Sequence, residues 1–264
     1  MSINDKFMNW DNLGTALVTG ASSGIGAEFA RQLAEHGFDL VLVARRKNKL
    51  DSLREKLSRD NSIQAEVLVA DLSQPEDMDR VVSKILECDD LDVLINNAGY
   101  GILTPFLERE YKQNAEMINV HYTSPVMFCH TAIKGMIERG RGVIINNAST
   151  SAFIKNSEIY SSSKAAITIF SEILKPLVRG KDIHIQALCP GFTYSEFHDT
   201  DSMRGFSRES FSKILWMGAE EVVTLSLQAV KSRHVIFIPG EENRTLIKSV
   251  RKSTFKKYLE CKIF

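Results

Sequence analysis

Thr19-Gly20-Ala21-Ser22-Ser23-Gly24-Ile25-Gly26 separates a short apolar run, Thr15 to Val18, from a segment of helical character, Ala27 to Leu33. Strand, glycine turn and helix in this order form a cradle for a dinucleotide pyrophosphate. Gly20 allows the tight turn. Gly24 and Gly26 let backbone N–H groups approach an anion and let the helix pack on the sheet. The helix N-terminus adds partial positive charge at the same place.

Outward from that turn, apolar β-branched runs alternate with amphipathic segments. Strands are expected at Asp39–Ala44, Ile63–Ala70, Asp92–Ile95, Gly142–Asn147, Ile183–Leu188 and Val235–Ile238. Helices are expected at Lys47–Arg59, Pro75–Glu87, Tyr111–Arg139, Glu158–Val178 and Ala219–Lys231. The alternation predicts βαβ units and an α/β fold, a three-layer doubly wound parallel sheet of Rossmann type. One domain is expected over residues 1–264, with dinucleotide-binding and catalytic parts together. Residues 191–218 fit no element, and a loop of that length in a compact domain is usually functional. Lys and Arg number 33, as do Asp and Glu, so global charge gives no sign of nucleic-acid binding. Cys88, Cys129, Cys189 and Cys261 are widely spaced, with no CxxC pair and no metal spacing. They fit a reducing compartment. The polar start, Met1 to Gly14, and the lack of a run of membrane-spanning length complete the expectation of a cytoplasmic protein.

Ligands of doubly wound sheets bind outside the carboxyl ends of the strands, where strand order reverses. Thr19–Gly26, Ala44-Arg45-Arg46, Ala70-Asp71-Leu72 and Asn96-Asn97-Ala98-Gly99 all fall at such ends, as do Ser149 and Pro190-Gly191. Tyr160 and Lys164 are four residues apart and share one helix face. A nearby ammonium favours the phenolate, so Lys164 is expected to lower the pKa of Tyr160 and make the pair an acid/base device.

TGASSGIG, NNAG at 96–99, Ser149, Tyr160-x-x-x-Lys164 and Pro190-Gly191 together resemble the short-chain dehydrogenase/reductase family in its single-domain form. The likeness runs from about Gly14 to Gly240. It implies hydride exchange between a nicotinamide cofactor and an alcohol or carbonyl. Tyr160 would be the acid/base, Lys164 would tune it and hold the ribose hydroxyls, and Ser149 would bind the reacting oxygen. Gly20, Ser22, Ser23, Gly24, Ile25 and Gly26 would line the phosphates and adenosine ribose. Asp71 and Leu72 would meet the adenine. Asn97, Ala98 and Gly99 would flank the ribose and brace the central strand. Pro190, Gly191, Thr193 and Ser195 would surround the nicotinamide, with Ser195 in place of a threonine.

An NAD enzyme needs a carboxylate after the second strand, whereas Arg45 and Arg46 stand here. A guanidinium binds a 2′-phosphate bidentately, so NADP(H) is expected, with Arg45 as the main contact. The chain departs from the family at His121, where an asparagine usually bends the helix and holds a water linked to the lysine. A proton relay through His121 is one expectation and a satisfied core histidine the other. This departure, with NNAGYG-like and CPGFT-like segments, resembles a bacterial branch of reductases without assigned substrates. The interval from Ser149 to Tyr160 is also short, which leaves Ser151 as an alternative to Ser149.

Phe153, Phe192, Tyr194, Phe197, Phe206, Phe211, Trp216 and Met217 are read either as a lining for a hydrophobic ketone or aldehyde or as packing of the loop onto the sheet, with His198, Arg204 and Arg208 at a polar end or facing water. The alternatives are a cofactor-binding sensor with little turnover and NADP-linked alcohol oxidation. The basic extension 241–264 carries Arg244, Lys248, Arg251, Lys252, Lys256 and Lys257. It is read as a helix that closes the subunit, in preference to a membrane contact. A homodimer or homotetramer is expected, paired through the two long helices.

Overall fold

The hydrophobic alternation becomes a sheet with helices on both faces. A computed structural model describes residues 8–154, 156–232 and 234–260. Its first half runs β1 (Thr15–Thr19), α1 (Gly24–Glu35), β2 (Asp39–Ala44), α2 (Lys47–Asn61), β3 (Ala65–Val69), α3 (Pro75–Glu87) and β4 (Leu91–Asn96). Then come α4 (Tyr111–Ile118), α5 (Ser124–Arg139), β5 (Arg141–Asn147), α6 (Glu158–Leu174) and β6 (Asp182–Leu188). The last part holds β7 (Phe192–Tyr194), β8 (Trp216–Gly218), α7 (Ala219–Val230), β9 (Ile236–Phe237) and α8 (Glu241–Glu260). The main sheet is parallel, in the order β3-β2-β1-β4-β5-β6-β9. Strand order reverses between β1 and β4, which opens the ligand crevice there.

The central strands are buried on both faces, as continuous apolar runs require. One core cluster joins Val18, Phe29, Leu33, Leu42 and Val223 on the α1–α7 side. The other joins Leu17, Leu94, Phe128, Ile144 and Met136 on the α3–α5 side. At the edge away from the crevice, the fully buried Asp92 carboxylate accepts bonds from Gly14 N (2.9 Å) and from Arg141 (3.0 and 2.7 Å).

Three features differ from expectation. The helix expected over Tyr111–Arg139 is interrupted by a π turn at Asn119–Thr123. The helix expected to reach Val178 leaves α geometry at Lys175–Val178, where Pro176 lacks an N–H and the last turn tightens to 3₁₀. Residues 191–218 contain a small parallel sheet, β7 with β8, and four 3₁₀ turns. Among the described residues, no helix is long and apolar enough to cross a membrane.

Candidate active site

The glycine turn joins β1 to α1 with Gly20 at φ +67° and Gly24 at φ +55°, a region that L side chains rarely enter. A Cβ on Gly26 would lie 2.3 Å from Gly20 O. The turn is held from the next strand: Thr19 Oγ accepts Asn97 N (2.9 Å) and Ala98 N (3.1 Å), and Asn97 Nδ2 donates to Thr19 O (2.9 Å). Asn97 and Ala98 therefore brace the turn. Ile25, half-buried, packs on the adjoining core.

Ser22 and Ser23 face the end of β2. Arg46 Nη2 donates to both hydroxyls at 2.8 Å, and Arg46 Nε donates to Ser22 Oγ at 3.1 Å. Arg45 instead reaches toward Asp71, 3.8 Å away. Asp71 also accepts from Ser73 N and Oγ, so it shapes the turn into α3. The Leu72 side chain is buried in the core beneath. The residue that engages the glycine turn is thus Arg46, while Arg45 flanks it. Sequence reasoning missed two neighbours here. Glu196, on the loop after β7, accepts from Arg46 Nη1 at 2.7 Å and also pairs with Lys49. These cations hold its carboxyl down at about 2. Ser195 packs on the same turn: a Cβ on Gly24 would lie 2.9 Å from Ser195 Cβ. Only the proximity of Glu196 to Ser195 in the chain hinted at this.

In the other half of the crevice Lys164 and His121 are buried, while Tyr160 and Ser149 are half-buried. Tyr160 and Lys164 sit on successive turns of α6. The Tyr160 hydroxyl is hydrogen-bonded to the Ser149 side chain. Ser149 Oγ also accepts Ser151 N at 3.1 Å, so Ser151 supports Ser149 and does not replace it at Tyr160. Lys164 Nζ, 4 % exposed as a residue, donates to Asn147 O at 2.7 Å and lies 5.8 Å from the Tyr160 ring centroid. Burial pushes the Tyr160 phenol up to about 12, with Ser149 pulling weakly the other way. This corrects the expected lowering. Desolvation of the phenolate outweighs an ammonium that points at a carbonyl, and it also lowers Lys164 itself to about 8. Gly99 lies above the lysine: a Cβ there would be 3.2 Å from His121 Nε2 and 3.5 Å from Lys164 Nζ. His121 is buried, with Nε2 accepting Tyr100 N and Nδ1 at 3.1 Å from Ser163 Oγ. Asn119, two residues earlier, turns away and donates to Ser73 O.

Beyond β6, Pro190 O accepts Thr150 N at 2.9 Å, Thr193 Oγ donates to Gly191 O, and Ser195 Oγ accepts Phe197 N. Asn243, at the start of α8, fills the space against Gly191, where a Cβ would meet its side chain at 2.3 Å. With Asn243 and Ile247 both 2 % exposed, the first turns of the C-terminal extension belong to the domain. No local pattern announces this packing. Residues 261–264 of the extension, with Cys261, lie outside the described residues.

Most of the loop aromatics pack on one another, with Trp216 buried at the centre and Phe211 exposed at the edge. Phe192 stacks on Trp216 (5.0 Å), His198 on Phe206 (4.5 Å) and Phe206 on Phe211 (5.4 Å). Arg208 lies over Trp216 and pairs with Asp199, and burial lowers His198 to about 4. Phe153 packs on the cluster of Ala148, Ile167 and Cys189. Phe197 is the loop aromatic that meets Tyr160, at 6.0 Å between centroids. Phe197 and Met203 also crowd Gly101.

The sequence pattern of the family described as short chain dehydrogenase matches residues 14–204. The chain belongs to the short-chain dehydrogenase family. A short-chain dehydrogenase from Sphingobium yanoikuyae, solved in complex with NADPH, superposes with a TM-score of 0.82 at 28 % identity, covering 95 % of this chain and 97 % of that one. A bulky-bulky ketone specific alcohol dehydrogenase from Comamonas testosteroni gives 0.77 at 28 % identity, covering 93 % and 94 %. The very-long-chain 3-oxoacyl-CoA reductase of Anas platyrhynchos is 31 % identical over 207 residues, 75 % of this chain and 64 % of the relative. This short-chain dehydrogenase thus spans less than two thirds of that relative's length. An uncharacterized oxidoreductase of Staphylococcus saprophyticus is 30 % identical over 70 % of this chain and 81 % of its own.

Proposed function

We propose that this short-chain dehydrogenase is an NADPH-dependent reductase of hydrophobic ketones or aldehydes. The observation that carries the reading is the cationic rim of the glycine turn. Arg46 lies on Ser22 and Ser23, with Arg45 and Lys49 beside it, where an NAD-selective site needs a carboxylate for the ribose 2′-hydroxyl. The turn fits the pyrophosphate, because the positive φ angles and the missing Cβ atoms leave backbone N–H groups free to face an anion. Ser195, Thr193, Pro190 and Gly191 would flank the nicotinamide end, and Asp71 and Leu72 the adenine end. NADPH supplies a hydride from its nicotinamide when bound.

The chain's own residues supply the proton and the charge stabilisation. Tyr160, with a pKa of about 12, is fully protonated at neutral pH and stands ready as an acid. Its O–H bond breaks as the proton passes to the carbonyl oxygen, which becomes the alcohol O–H. Ser149 donates a hydrogen bond to that oxygen as charge develops. The phenolate left on Tyr160 faces the Lys164 ammonium, and it regains its proton when the product leaves and water reaches the crevice. Phe197, Met203 and Gly101 form an apolar wall beside Tyr160, which favours a hydrophobic substrate. Relatives named for bulky ketones and very-long-chain 3-oxoacyl-CoA agree with that class.

The test is NADPH consumption with a panel of aryl alkyl ketones and long-chain 3-oxoacyl thioesters, with product identification. Turnover by the wild type, lost in Tyr160→Phe, supports the reading. NADPH binding without turnover of any carbonyl would favour the sensor alternative. Pairing of two chains through the long helices is part of the same proposal. Tyr111 on α4 and Ile173 on α6 are 83 % and 65 % exposed, which leaves apolar surface for a second copy.

A further inference from the structure

His121 is a buried titratable group with both ring nitrogens engaged. Tyr100 N donates to Nε2 at 3.1 Å, so Nε2 is an acceptor and carries no proton. Nδ1 faces Ser163 Oγ at 3.1 Å. The single hydroxyl proton of Ser163 is donated to Tyr160 O at 3.0 Å, so toward the imidazole this oxygen is an acceptor. These contacts select one species, neutral imidazole protonated on Nδ1. Followed outward, each side ends on the backbone: the Tyr100 amide on one, the Tyr160 carbonyl through Ser163 on the other. Neither group takes up or gives up a proton at neutral pH.

The contacts also join two parts of the site. Tyr100 follows Gly99 on the loop after β4, and Tyr160 lies in the first turn of α6. The His121 ring stands edge-on to both aromatic rings, 5.7 Å from Tyr100 and 5.4 Å from Tyr160. It lies in the π turn, a helical irregularity often found at functional sites. The titratable groups that face it are Lys164 and Tyr160 from α6 and Tyr100 from the loop. Burial and the Lys164 charge both disfavour the imidazolium.

We propose that His121 and Ser163 are positioning residues, a clamp of fixed tautomer that holds the Tyr160 turn against the Gly99–Tyr100 loop, and that His121 does not relay protons. The proposal rests on the reading of Tyr160 as the proton donor. It assigns a role to Ser163, and it explains how an imidazole serves where the family pattern has an amide. An asparagine side chain also accepts one hydrogen bond and donates another, so it can make both contacts without titrating.

The first test needs no turnover. In the full chain labelled with ¹⁵N-histidine, the signal that disappears in His121→Asn reports its ring. The clamp predicts a proton on Nδ1, none on Nε2, and no titration between pH 5 and 8, the window in which an ordinary histidine changes charge. A ring protonated on Nε2, or one that titrates in that window, overturns the proposal. The second test uses the ketone panel. Ser163→Ala is expected to lower kcat about five- to tenfold, the size of one buried hydrogen bond, with NADPH affinity and the shape of the pH profile unchanged. His121→Asn is expected to restore most of the kcat lost in His121→Ala. Failure of that rescue, or a pH profile altered in Ser163→Ala, would point to a relay and defeat the clamp. If the wild type reduces no ketone, the reductase reading fails, while the NMR result still decides the clamp.

Discussion

Behind Tyr160 the ionisable side chains of Lys164 and His121 are buried away from water, whereas Arg46 and Glu196 keep theirs. Lys164 is 4 % exposed, and burial moves its pKa down while it moves that of Tyr160 up. The Arg46 and Glu196 side chains are 45 % and 48 % exposed, and Glu196 is shifted by neighbouring cations, not by burial. In the first region desolvation governs, so contacts are few and each changes chemistry. In the second, Coulomb attraction is screened, so several weak contacts share the task. Substitutions that remove one atom group from the dry floor are therefore expected to cost more than those that neutralise a charge on the wet rim.

The sharpest test of that contrast is Tyr160→Phe. Loss of the hydroxyl is expected to lower kcat by roughly 10²–10⁴-fold, the range for a positioned general acid, with NADPH affinity nearly unchanged. Stopped-flow or steady-state NADPH oxidation reads the first and fluorescence titration the second. A parallel loss of NADPH affinity would mean that the floor and the rim are not separable.

Lys164→Met tests the dry floor through stability. The folded-state pKa of Lys164 is about 8, below its ordinary 10.5. Between those values the unfolded chain holds a proton that the folded chain has released, so wild-type stability rises with pH across this window. At pH 7 the lysine is charged in both states, and the fold bears the cost of burying it. Methionine removes that cost, worth at most about 3 kcal/mol, less about 1 kcal/mol for the lost bond to Asn147 O. Thermal melts are expected to show the variant more stable than wild type at pH 7, with the gap narrowing as pH rises from 8 to 10.5. A destabilised variant at pH 7 would show that the Lys164 contact matters more than its desolvation. Lower turnover is the expected accompaniment.

On the rim, Arg46→Ala is expected to weaken NADPH binding about tenfold or more, the scale of a charge-assisted hydrogen bond, and to leave NADH binding little changed. Arg45→Asp is expected to weaken NADPH binding as well. If Arg45→Asp has the larger effect, the main contact is Arg45, the residue first expected from the strand end.

The same contrast marks what could be read from the sequence. The glycine turn and the doubly wound parallel sheet follow from local periodicity and from residues at strand ends, both visible along the chain, whereas Ser149 beside Tyr160 is expected from the family resemblance. The pKa of Tyr160 moves opposite to the expected direction because four-residue spacing says which groups are near and nothing about how deeply they are buried. The two readings of the loop aromatics stay unseparated in the sequence for a related reason. Phe192, Phe206 and Trp216 carry no mark that distinguishes packing on one another from facing a substrate. Asn243 against Gly191 and Glu196 against Arg46 are contacts across distant segments with no periodic signature. The π turn at Asn119–Thr123 is equally hidden, since its residues would continue an ordinary helix.

Glu196→Gln carries the comparison to its smallest effect. The Glu196 carboxylate occupies Arg46 and Lys49, the cations proposed to meet a 2′-phosphate, so it competes with the phosphate for them. The two exposed pairs share one carboxylate and together contribute about 1 kcal/mol, so removing the charge is expected to tighten NADPH binding about fivefold. The carboxyl pKa of about 2 keeps the pair ionised at neutral pH, so the gain should not vary above about pH 7, where the 2′-phosphate is fully ionised as well. It should shrink as salt is added, because the competition is between exposed charges. NADH, which lacks the phosphate, provides the control. Equal tightening of both cofactors would mean that Glu196 acts through the position of Ser195 and Phe197 on its loop, and the rim would then be tied to the floor by packing and not by charge.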